Sequence, residues 1–169
     1  MATSMMSHLH AAALTGFAIV MAAAAFEDFR RLVIPNLLPL LLCALWPLYF
    51  AAGPSWYGAV AAMGCAAAVF CGGAILFARG WLGGGDVKLL TAAALWAGPE
   101  TPSLLMLTSV LGGALALFLL LPFGRQMLAT AQAKLGRPPV QAGRGLAMPV
   151  PYGIAIAGAA LIVTLPHFG

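Results

Sequence analysis

The run LHAAALTGFAIVMAAAAF, residues 9–26, is followed at once by Glu27-Asp28-Phe29-Arg30-Arg31. The run holds no Asp, Glu, Lys or Arg. Its length is close to the roughly 20 apolar residues an α-helix needs to cross about 30 Å of hydrocarbon. A run of this kind that stops on charges predicts a membrane-spanning helix ending at a polar face. A transmembrane barrel strand would instead alternate in polarity over about ten residues. The Ala-, Leu- and Gly-rich pattern shows no such alternation.

The same reading extends along the chain. Of its 169 residues 63% are hydrophobic and 7% charged, with a mean hydropathy of +1.01. Soluble domains carry roughly 25% charged residues, so the charge here is too sparse to cover a water-facing surface. Six apolar runs emerge, at 9–26, 34–52, 56–78, 87–98, 103–122 and 148–165. The expected fold is an all-α polytopic membrane protein, a bundle of six transmembrane helices. No stretch is long enough for a separate soluble module, so residues 1–169 read as one domain.

Orientation follows from the eight basic residues. Arg30 and Arg31 follow the first run, Arg79 and Lys88 flank the loop after the third, and Arg125, Lys134, Arg137 and Arg144 fill the loop after the fifth. The loops at 53–55 and 98–102 have none. Basic loops stay cytoplasmic, which puts the loops after runs one, three and five inside and both termini outside. The net charge of +4 is thereby assigned to membrane orientation, with no nucleic-acid partner expected. A cleaved signal peptide over residues 1–25 is disfavoured, because no Lys or Arg precedes the apolar run. The basic stretch 124–147 reads as a solvated loop, or as a surface for anionic lipid, that begins by continuing the fifth helix.

Against this background the two aspartates, Asp28 and Asp86, stand out. A charge at the bilayer centre costs at least about 2.5–3.5 kcal/mol, yet each sits where an apolar run meets a basic loop. By the charge map both lie at the cytoplasmic face. Two acids sharing a site do not both ionise easily. One can then take a proton from water while the other protonates a carbonyl oxygen, which is general acid–base chemistry without metal or cofactor. Triple glycine, Gly83-Gly84-Gly85, precedes Asp86 and would let the backbone turn and approach an extended peptide. Two other readings stay open. In one, each aspartate is structural, as a helix N-cap or as a charge balanced locally by Arg31 or Lys88. In the other, the pair forms a proton or cation relay in a small transporter. Cys43, Cys65 and Cys71 form no CxxC pair and read as small buried hydrophobes. His8, His10 and His167 read as solvated terminal residues.

Two motifs carry a family resemblance. Asp28 with Arg31-Leu32-Val33-Ile34-Pro35-Asn36 resembles the D…R.IPN motif of the type IV prepilin peptidases, and Gly83-Gly84-Gly85-Asp86-Val87-Lys88 resembles their GxGDxK motif. Met148-Pro149-Val150-Pro151-Tyr152-Gly153 is similar to their late proline–aromatic–glycine segment. Presenilin-type proteases share GxGD but pair it with a Tyr-Asp in the preceding span. The resemblance covers about residues 20–160. It implies an aspartic endopeptidase of the bacterial inner membrane that cuts basic leaders from prepilins or pseudopilins, with Asp28 and Asp86 catalytic. It further implies that Gly83 and Gly85 admit the scissile peptide. Lys88 would hold Asp86 charged or bind a substrate carbonyl, and Pro35 and Asn36 would set the break before the second span. Full-length members carry a methyltransferase region with two CxxC pairs. Without those pairs the chain resembles the short form that serves Flp/Tad-type pili, and N-methylation is not expected.

Overall fold

A computed structural model describes residues 2–52, 55–134 and 150–164. Arg137, Arg144, Met148, Pro149 and His167 lie outside the described residues. Among the described residues, seven α-helices run in chain order: α1 (Ala2–Arg31), α2 (Leu37–Ala52), α3 (Trp56–Ala78), α4 (Gly84–Ala97), α5 (Thr101–Leu120), α6 (Pro122–Lys134) and α7 (Tyr152–Thr164). No strand occurs among the described residues. All six expected apolar runs form helices. Three segments are long and apolar enough to cross a membrane: Met5–Arg31, Trp56–Ala78 and Gly84–Leu120, the last running through α4 and α5. Leu37–Ala51 and Tyr152–Thr164 are shorter apolar helices.

Local chemistry sets the boundaries. Ile34 precedes a proline, which disfavours the helical region, so α2 begins at Leu37, later than the 34 expected. Ser55 starts α3 by accepting the Gly58 amide at 3.3 Å. Gly98 ends α4 at φ +54°, a conformation that suits glycine. The buried Thr101 hydroxyl then lies 2.6 Å from the Gly98 carbonyl and 3.3 Å from that of Ala94. The basic stretch does not continue α5. Pro122 forces Leu121 into an extended conformation (φ −74°, ψ 138°) and itself opens α6. Arg125 folds back to donate to the Leu119 and Leu120 carbonyls at 3.1 and 3.2 Å, a cation on the negative end of α5.

The short helices α4 and α7 lie in the middle. Helix α4 packs on α2, α3 and α7, while α7 packs on α1, α4 and α5. Both face their neighbours with alanines: Ala92, Ala93, Ala94, Ala155, Ala157, Ala159 and Ala160 are buried. Small side chains bring helix backbones close, which is how helices associate in lipid. The rings of Phe17, Trp96 and Tyr49 pack at a tilt across α1, α4 and α2, with centroids 4.6 and 5.1 Å apart. The Trp96 indole also donates to the Leu42 carbonyl at 2.9 Å. His10 joins this cluster, 4.9 Å from the Tyr49 ring, instead of standing free in solvent as expected. The cysteines also differ from expectation, since Cys43 and Cys71 are exposed and Cys65 is half-buried. The outer faces carry Ile19, Leu40, Val60, Phe70 and Val110, all exposed. In a bundle whose surroundings are apolar, a thiol or an aliphatic chain has no need to turn inward.

Candidate active site

The two motifs pack against each other. Helix α1 ends at Leu32, which adopts φ +51° and donates its amide to the Asp28 carbonyl at 2.8 Å. The extended segment 33–35 then crosses the first turn of α4. A Cβ on Gly85 would stand 3.2 Å from Ile34 Cβ and 3.6 Å from the Ile34 backbone N and O. Ile34 is buried. One turn further along α4, Lys88 Nζ donates to Asn36 Oδ1 at 2.8 Å. The triple glycine is therefore only partly a loop. Gly83 is the N-cap, whereas Gly84 and Gly85 are the first two residues of α4.

This docking brings the carboxylates together. Asp28 projects from the last turn of α1 and is 5% exposed. Asp86 occupies the first turn of α4 and is half-buried, with its carboxylate turned back to the Gly83 amide. An acid at this third helical position satisfies a free donor of the cap. Asp28 lies close enough for its charge to act on Asp86. Asp28 Oδ2 accepts the Gly153 amide of α7 at 2.6 Å, across 125 residues of sequence. The Ile154 amide, which donates to the Pro151 carbonyl at 3.3 Å, also faces this carboxylate.

Neither local balancing charge takes the expected partner. Arg31 Nε pairs with Glu27 Oε2 at 3.1 Å, one helical turn away, and leaves Asp28 to α7. Lys88 is committed to Asn36, not to Asp86. The N-cap alternative fails for Asp28, which sits at a helix C-terminus. Buried Gln132 of α6 donates to the Phe29 carbonyl at 3.1 Å and so supports the end of α1.

Two contacts escaped the sequence reading. Gly153 was visible in the Pro151-Tyr152-Gly153 segment but had no assigned partner. Gln132 gave no signal at all, since an isolated glutamine in a basic stretch looks solvated.

A sequence profile of the type IV leader peptidase family matches residues 15–117. The chain belongs to this family. No curated protein and no solved structure matches it. The match covers both aspartates and helices α2 to α4 and ends within α5, before Gly153. A peptidase family and a bundle of apolar helices together describe a membrane protease.

Proposed function

We propose that this leader peptidase relative is an aspartic endopeptidase that removes basic leaders from prepilin or pseudopilin substrates of the Flp type. The observation that carries this reading is the convergence of Asp28 and Asp86, from two different helix ends, close enough for the charge of Asp28 to act on Asp86. In a peptidase family, such a pair supports acid–base hydrolysis. One carboxylate takes a proton as water attacks the scissile carbonyl carbon, and the other protonates the carbonyl oxygen. The tetrahedral adduct then collapses. Its C–N bond breaks, the amine nitrogen takes up the proton removed from water, and the hydroxyl proton returns to the acid.

The accompanying topology has six spans, with both termini outside and the pair at the cytoplasmic face of the bacterial inner membrane. The positions of the basic residues support it. The substrate's apolar helix would lie in lipid beside the enzyme and hold the cleavage site at the depth of the aspartates, which supplies proximity before any specific contact forms.

Co-expression with a prepilin tests the reading through the substrate's mass. Asp28→Asn and Asp86→Asn should each abolish cleavage while the protein still inserts. Processing retained by either variant would rule out the dyad. Proton or cation flux in vesicles, with substrate length unchanged, would point to the transporter reading instead.

A further inference from the structure

The first turn of α7 is built around Asp28. Amides at a helix N-terminus have no acceptor within the helix and carry the positive end of its dipole. Here the Gly153 amide meets Asp28 Oδ2 at 2.6 Å, and the Ile154 amide faces the same group. The approach is so close that a Cβ at position 153 would stand 2.8 Å from Asp28 Cβ, 2.8 Å from Oδ2 and 2.9 Å from Cγ. Only glycine lets the helix come this near. From the other side, the Tyr152 ring packs on Gly112 of α5, where a Cβ would stand 2.8 Å from the ring. The start of α7 is thus clamped between α5 and Asp28.

The groups facing the pair come from three helices: Asp28 from α1, Asp86 from α4 with the Gly83 amide that caps that helix, and the Gly153 and Ile154 amides from α7. Among the described residues no Lys or Arg forms an ion pair with either aspartate; Arg31 is on Glu27 and Lys88 on Asn36. We propose that Gly153 is a positioning residue that sets the division of labour in the pair. With Oδ2 committed to α7, Oδ1 is the oxygen that Asp28 presents to a water and to Asp86. Burial works against the charge of both carboxylates, and hydrogen bonds from amides favour it; Asp28 faces two amides, from Gly153 and Ile154, where Asp86 faces one, from Gly83. Asp28 is therefore the member that accepts the proton from water. Asp86 is the member that gives its proton to the carbonyl oxygen.

The inference rests on the peptidase reading, but its test does not need cleavage. Asp28 and Asp86 are the only aspartates, so [4-13C]aspartate labelling of the full chain in micelles gives two side-chain carboxyl signals. Asp86→Asn leaves that of Asp28 alone. At pH 7 this signal should be that of a carboxylate, and adding Gly153→Ala should raise the pH at which it gains a proton. An Asp28 signal that is protonated at pH 7, or that titrates identically with and without Gly153→Ala, overturns the proposal. In the cleavage assay, Gly153→Ala should lower kcat by about a hundredfold, the cost of misplacing a reacting group by roughly 1 Å. KM should hardly change, and the acidic limb of the pH–rate profile should move to higher pH. A lowered kcat with that limb unmoved would mark a general loss of packing and overturn the positioning role. Should Gly153→Ala fail to insert, the unaltered chain still decides: Asp28 neutral and Asp86 charged would overturn the assignment. A chain that gives the expected spectra but cleaves no prepilin would remove the peptidase reading and leave the positioning of Asp28 intact.

Discussion

Substituting Gly85 should separate what holds the bundle together from what holds the aspartates together. Its hypothetical Cβ lies 3.2 Å from Ile34 Cβ, a few tenths of an ångström inside ordinary carbon–carbon contact of about 3.5–4.0 Å. Two effects compete in Gly85→Ala. Replacing a helical glycine with alanine gains up to about 0.5–1 kcal/mol. Overpacking a filled site costs about 1–3 kcal/mol. Ile34 is buried and its neighbour is Pro35, so the segment gives way only by moving α1 and α4 apart. The net loss of stability should lie between about zero and about 2.5 kcal/mol, the difference of these two terms. Activity should fall further than stability, because the same displacement separates Asp28 from Asp86, and about 1 Å of misplacement costs roughly a hundredfold. Gly85→Val should reach that limit. The assay is prepilin cleavage by purified chain in micelles, alongside thermal unfolding of the same samples. A double-mutant cycle sharpens it. Ile34→Gly removes the contacted Cβ and should reduce the penalty of Gly85→Ala, whereas Ile34→Val retains that Cβ and should not. Wild-type cleavage by Gly85→Val would refute the claim that this contact sets the carboxylate separation.

Three further outcomes are expected. Lys88→Met and Asn36→Ala each remove the same 2.8 Å bond; each should cost about 1 kcal/mol in thermal unfolding, and the double variant should cost scarcely more than either. Gln132→Leu removes the donor to the Phe29 carbonyl. It should lower stability by about 1–3 kcal/mol through an unsatisfied buried acceptor, and equal unfolding of the two chains would show that α6 does not support α1. In a cysteine-free background, Ser55→Cys should react with an impermeant maleimide added outside cells, while Arg79→Cys should react only after permeabilisation; the reverse pattern would invert the topology.

The membrane class was legible because composition and run length express a single physical demand, that lipid replace water as the solvent. A helix end was legible where glycine dictates backbone conformation, as at Gly98, whereas the run expected from 34 overlooked what Pro35 does to Ile34. Pro122 belongs with Pro35: the basic residues beyond it masked the break, and α6 appeared as a separate helix where a continuation of the fifth was expected. The charge partners were not legible. Proximity in sequence suggested Arg31 for Asp28 and Lys88 for Asp86. Helix geometry instead gives Arg31 to Glu27 one turn back, and the crossing of 33–36 over α4 gives Lys88 to Asn36. Cysteine burial was misjudged for a different reason. Inside and outside are equally apolar in this bundle, so hydrophobicity carries no information about which face a residue takes.

The aspartates illustrate how much a local motif leaves unsaid. Each motif specifies half of a contact. The first supplies Ile34 and Asn36, the second supplies Gly85 and Lys88, and only their docking brings Asp28 toward Asp86. Even so, that docking leaves the Asp28 carboxylate without a donor, since Arg31 turns away from it. A buried carboxylate without a hydrogen-bond partner is costly, and the shortfall is met by Gly153, beyond the 15–117 stretch that marks the family. A fragment ending with α5 would keep both aspartates and both motifs yet lose the group that holds one of them. The smallest unit able to place the pair therefore includes α7, and the glycine there is as specific a requirement as the glycine beside Ile34.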